Sequence, residues 1–87
     1  MEKILLVNMK PFTFSQTISI FEDGSEVETM VVPMSKIEEE ILILAKHNNI
    51  SEVNIAGPKV YTKGIQKKIE KAELKTYNKN LLNIKLI

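Results

Sequence analysis

The sequence predicts a single small α/β domain spanning all 87 residues, with a mixed sheet in the order β-β-β-α-β-α-β and an extra strand at the C-terminus. Three observations carry this reading. Ile4 to Met9 is a short apolar run of the kind that fills the inside of a sheet. Asp23-Gly24 separates two segments of strand periodicity. Two stretches of helical periodicity, each preceded by a helix-start signal, flank a second short apolar run at Glu52 to Ala56.

Taken in order, Ile4 to Met9 is expected to be buried on both faces, and Lys10-Pro11 ends it. From Phe12 to Glu22 the pattern alternates, with Phe12, Phe14, Ile18 and Ile20 on the core side and Thr13, Ser15, Thr17 and Ser19 opposite. Asp23-Gly24 supplies the positive φ of a tight hairpin turn. The chain returns over Ser25 to Val32 with Val27 and Val31 on one face and Glu26 and Glu28 on the other. Pro33 stops this strand, and Ser35-Lys36-Ile37-Glu38 has the spacing of a capping box that opens a helix from Ser35 to His47. Within it Ile41 to Ala45 is apolar nearly all round, which predicts deep packing or a covering partner. Asn48-Asn49 offers a left-handed stop.

Glu52 to Ala56 reads as a second buried strand, broken by Gly57-Pro58. Pro58 suits the first position of a helix, in which Val60, Tyr61, Ile65, Ile69 and Ala72 form an apolar stripe. Glu73 to Tyr77 reads as the end of that helix or a short strand, and Thr76 and Tyr77 favour the strand. After the turn Asn78-Lys79-Asn80, Leu82, Ile84 and Leu86 alternate with Asn83 and Lys85 in a final strand.

This order resembles that of the ribonuclease-H-like and actin-like fold, over roughly residues 3 to 77, and Ser51 to Pro58 looks like that fold's fourth strand and its turn. Nucleases of that fold hold two divalent metals with carboxylates on the first strand and near the ends of later elements. Here the first strand offers Asn8 and the fourth ends in Ala56-Gly57, so the resemblance does not carry nuclease chemistry or a metal site to this chain.

Composition narrows the function classes. Cysteine is absent, which removes disulfides, thiolate ligands and cysteine nucleophiles and favours a cytoplasmic setting in the producing or host cell. Ile4 to Val7 is too short for a signal peptide, and far short of the ~20 residues of a membrane span, so no membrane role is expected. All 12 basic residues are Lys, beside 12 Ile and 7 Asn, a bias toward A/T-rich codons that suggests a low-GC genome such as that of a bacterium, phage or archaeal virus. Without arginine there are no bidentate forks for phosphate or guanine.

The candidate sites are few. His47 ends the first helix, where an imidazolium suits the dipole. Glu38, Glu39 and Glu40 point different ways around a first turn. Neither makes a catalytic constellation, and no cofactor fingerprint is present. At Gly57 a strand end meets a helix start, and Lys59, Thr62 and Lys63 add charge and a hydroxyl within one turn, so this turn is a candidate phosphate site or simply a chain reversal. Lys59, Lys63, Lys67, Lys71 and Lys75 recur every four residues with Lys68 beside them, a solvated helix face or an anion-binding row. Phe12 and Phe14 read as core residues in preference to stacking platforms for bases. The expectation is a non-enzymatic protein that docks on a protein partner, in the manner of a small phage or mobile-element accessory factor. The alternative is a nucleic-acid or phosphate binder using Gly57 and the lysine row. Dimerisation is expected through Ile41 to Ala45 or an edge strand.

Overall fold

The computed structural model describes residues 2–87 and contains five strands and two helices. β1 (Lys3–Asn8) pairs antiparallel with β2 (Ser15–Glu22), which pairs antiparallel with β3 (Ser25–Pro33). On its other edge β1 pairs in parallel with β4 (Glu52–Ala56), which pairs in parallel with β5 (Asn83–Leu86). The sheet order is β3-β2-β1-β4-β5, so the two apolar runs both lie inside the sheet, as does β2. Helix α1 (Ile37–His47) crosses from β3 to β4, and α2 (Lys59–Tyr77) from β4 to β5. A Lys68–Glu38 ion pair of 3.6 Å joins the two helices, which share one face of the sheet, as right-handed crossovers running in the same direction require.

This one-sided arrangement sets the core. Leu5, Val7, Ile18, Ile20, Val53 and Ile55 occupy matching registers beneath the helices and are buried, and Ile37, Ile41, Ala45, Ile65 and Ile69 meet them from above. The opposite residues Ile4, Leu6 and Phe21 are only half-buried. Burial of β1 on both faces is therefore corrected: one face is sealed and the other is open. A shallow cavity of about 250 Å³ lies there among Ile4, Leu6, Phe21 and Asn54.

Several local expectations are also revised. β2 begins at Ser15, and the inward position before Ile18 belongs to buried Gln16, while Phe12 and Phe14 lie outside the sheet. A register shift between Ile20 and Phe21 changes the phase of the hairpin, so Met30 and Val32 turn toward the core while Val27 and Val31 are exposed on an edge strand. The capping box does not form. Met34–Lys36 make a 3₁₀ turn whose first N–H is committed to the Phe14 carbonyl, and α1 starts at Ile37 with no side-chain cap. Ile41 and Ala45 are buried, but Ile43 is exposed, so this helix is amphipathic and not enclosed. In α2, Pro58 is the N-cap and stands one place before the first helical residue, and exposed Val60 leaves the stripe.

The strand expected over Glu73 to Tyr77 is the last part of α2. Glu73 decides this against the propensity of Thr76 and Tyr77: from a helical position its Oε2 accepts the N–H groups of Leu81 and Leu82, at 2.8 and 3.0 Å. Those bonds turn the chain into β5. Asn78, with φ of 60°, ends the helix.

The turn signals at Asp23-Gly24 and Asn49 are met by positive φ values of 50°, 86° and 54°. In the hairpin the Thr29 hydroxyl donates to Glu26 at 2.6 Å and, with Ser19 behind it, holds the Glu26 carboxyl below its ordinary value. That interaction is lost as pH falls through the Glu26 pKa.

Gly57 joins β4 to α2 with φ of 137°, and a Cβ there would stand 2.5 Å from the Met9 carbonyl oxygen. Gly57→Ala is expected to destabilise the fold by at least roughly 1–3 kcal/mol, because strained φ and a backbone clash coincide. Urea unfolding with an unchanged m-value and a lower midpoint is the check.

Candidate docking surface

The parallel pairing of β1 and β4 brings two chain reversals together. Asn8 is the register partner of Ala56, and the Met9 N–H donates to the Ala56 carbonyl at 2.8 Å. Beyond this point one chain turns back through Lys10–Phe14 into β2, and the other passes through Gly57-Pro58 into α2. The carboxyl ends of parallel strands, where successive connections leave in opposite directions, are the usual crevice of open α/β sheets. Neither Asn8 nor Ala56 is a carboxylate. Among the described residues no group of three or more His, Asp or Glu side chains is placed to hold a metal ion.

The Lys10–Phe14 loop is held firmly. Gln16, 2% exposed, accepts the Lys10 N–H at 2.6 Å through Oε1 and donates through Nε2 to the Lys10 carbonyl at 2.9 Å and to the Thr13 hydroxyl at 3.0 Å. The same hydroxyl lies 2.9 Å from the Lys10 carbonyl and 3.0 Å from that of Ser15. On the other side, the Phe14 carbonyl accepts the Met34 N–H at 2.7 Å. Phe12 sits at φ of 61°, a conformation that a bulky residue adopts only when its surroundings impose it.

What this fixed loop presents is apolar. Phe12 and Phe14 are 95% and 96% exposed, and Val60 on the first turn of α2 is 81% exposed. The Phe12 ring stands edge-on to Tyr61 at 6.0 Å, which ties the loop to the helix. The expectation that both phenylalanines belong to the core is overturned. Lys10-Pro11 stops β1 and the loop must turn before β2 can begin, so the alternation that includes Phe12 and Phe14 is coincidental.

The other sequence-predicted residues fall into two groups. Lys59, Lys63, Lys67 and Lys71 are exposed along α2, as is Lys75, while Lys68 pairs with Glu38. Gly57 is required by the close approach to Met9, which is reason enough for glycine there. Thr62 is fully buried, with its hydroxyl sealed in the interior and unpartnered, so the accessible surface at this turn consists of backbone and lysine. The N–H groups of Tyr61 and Thr62 are already bonded to the Pro58 carbonyl. His47 lies exposed at the end of α1, apart from this surface. Gln16 drew no notice in the sequence, and Glu73 figured there only as the start of an expected strand; a polar residue where a strand's alternation calls for an apolar one was the signal for the first.

No protein-family model matches the chain, and no curated protein matches it. Among solved structures, a Bacteroides thetaiotaomicron VPI-5482 protein with actin-like ATPase fold and unknown function is similar, with a TM-score of 0.70 at 12% sequence identity. The match covers 99% of this chain and 32% of that one. The likeness is one of fold, and it agrees with the actin-like order of elements. The chain spans about a third of the length of that protein. Among the described residues no helix is long and apolar enough to cross a membrane.

Replacing Gln16 by Leu removes three hydrogen bonds from the Lys10–Phe14 loop and leaves the part-buried Lys10 N–H without its partner. The expected cost is roughly 1–3 kcal/mol. Hydrogen exchange at the Lys10 amide should accelerate beyond what the global loss of stability accounts for, which distinguishes release of the loop from a general weakening.

Proposed function

We propose that the chain is a non-enzymatic docking module that binds a protein partner through the Lys10–Phe14 loop and the first turns of α2. The observation that carries the reading is the pairing of order with exposure: Phe12 and Phe14 are almost wholly in solvent, on a loop fixed by buried Gln16. A pre-ordered loop loses little entropy on binding, and aromatic anchors dominate interface energetics. Burying two phenylalanines contributes roughly 3–6 kcal/mol, whereas association itself costs about 4–15 kcal/mol. The pair therefore needs help. Val60, Tyr61 and the Lys10, Lys59 and Lys63 cations adjoin it in the loop and helix start, and together they suit a partner surface that is apolar with an acidic rim. The A/T-rich codon bias and the absence of cysteine lead us to infer a small phage or mobile-element accessory factor acting in the cytoplasm.

One observation favours a second reading as a single-stranded nucleic-acid binder. The exposed lysines of α2 begin beside the exposed aromatic rings, and stacking surfaces with adjacent cations are what such binders use.

Two variants separate the readings. The double change Phe12→Ala and Phe14→Ala should shift unfolding free energy by no more than about 0.5 kcal/mol, since neither ring is in the core. It should abolish recovery of a specific partner from host extract, measured against wild type by quantitative mass spectrometry. Changing Lys63, Lys67 and Lys71 to Gln should weaken that recovery less. Sub-micromolar binding to a single-stranded oligonucleotide at physiological salt, with a log–log salt slope shallower by roughly 0.7 per lysine removed, replaces the first reading with the second.

A further inference from the structure

At the other end of α2 a pocket of about 130 Å³ opens between the two helices and the segment leading into β5. Leu42, Ala45, Ile50, Tyr77 and Leu82 are among the residues that line it. Its one carboxylate is Glu73, which is 1% exposed. The Oε2 of Glu73 accepts two backbone N–H groups, while Oε1 is sealed from solvent and accepts no hydrogen bond from the chain. A buried carboxylate oxygen without a donor is costly, and native structures supply one. Lys46 stands in the lining, but its ammonium makes no ion pair with Glu73.

We propose that this pocket binds a primary ammonium carried on a short aliphatic stem. The charged head would donate to Glu73 Oε1 in a charge-assisted bond once the carboxylate turns that sealed oxygen toward the pocket, and the stem would lie against the leucine and isoleucine walls. The volume is a little below the ~150 Å³ of a cavity that accepts benzene, so the ligand has about five or six heavy atoms. Butylammonium fits that limit and so does the end of a lysine side chain. The same chemistry is therefore available from a free small amine or from a lysine of another protein. This inference does not rest on the docking reading, whose surface lies at the opposite end of the helix.

The test is titration of the wild-type protein with butylammonium chloride, followed by amide chemical shifts in ¹H–¹⁵N spectra. Saturable shifts centred on Ala45, Leu81 and Leu82 are expected, with 1-butanol binding at least about tenfold more weakly, since it lacks the charge. Glu73→Gln should lose a similar factor. Because this change also touches the Leu81 and Leu82 bonds, Ala45→Leu provides a second route, filling the pocket while leaving Glu73 in place, and it should block binding. Equal affinity for butylammonium and butanol, or no saturable shift with either, overturns the proposal. So does binding that appears only in Lys46→Gln, which would mean that the chain's own lysine occupies the pocket. An Nα-acetyl-lysine methylamide arm distinguishes the sources: binding as tight as butylammonium assigns the pocket to a protein lysine, and exclusion assigns it to a free amine.

Discussion

The parallel pairing of β1 with β4 is the constraint on which the rest of the molecule depends. Because β1 is already paired antiparallel to β2, the chain can reach β4 only by crossing from the far edge of the sheet, and α1 makes that crossing. The next crossing, by α2, moves in the same direction and lands on the same face. The pairing also has a tight end. Where β1 and β4 stop together, Gly57 passes so close to the Met9 carbonyl that a side chain has no room, and this approach places the Lys10–Phe14 loop beside the start of α2.

Two polar residues extend that framework in parallel ways. Gln16 and Glu73 each occupy buried positions where sheet or helix periodicity calls for an apolar side chain, and each spends its hydrogen bonds on the backbone of a neighbouring connection. Gln16 fixes the loop before β2, and Glu73 fixes the segment before β5. In both cases a side chain replaces the ladder or helix bond that an irregular segment lacks, which is how such a segment can be ordered without regular structure. The difference lies in what is left over. Gln16 uses both ends of its amide, whereas Glu73, which lines a pocket, retains a buried oxygen with no partner.

Much of the fold was legible in the sequence because local signals and tertiary demands agreed. The runs at Ile4 and Val53 name two of the three inner strands, Asp23-Gly24 names the hairpin, and Gly57-Pro58 marks the end of β4. Legibility failed where a distant contact overrode a local preference. Thr76 and Tyr77 favour a strand, but the helix continues through them because Glu73 must reach Leu81 and Leu82. Ser35 and Glu38 have capping-box spacing, yet the bond from Met34 to Phe14 draws the turn into a different path. Phe12 and Phe14 failed for another reason. Their alternation with Thr13 and Ser15 is that of a half-buried strand, and only the positive φ at Phe12 and the clamp from Gln16 reveal a loop that turns both rings outward. The proposed docking surface was thus visible as residues and hidden as a surface.

Exposed phenylalanines on a loose loop would collapse onto the nearest apolar surface, and here one is nearby in Val60 and Tyr61. The loop prevents this for Phe14 and limits Phe12 to an edge contact with Tyr61. The two rings are not required to hold the fold together, because neither is buried in the core. The arrangement also leaves the two ends of α2 free to act separately. From Tyr61 to Glu73 the helix rises about 18 Å at 1.5 Å per residue, beyond the roughly 7–10 Å within which substitutions usually couple. One helix therefore separates an exposed apolar, cationic surface at its start from a carboxylate-bearing pocket at its end.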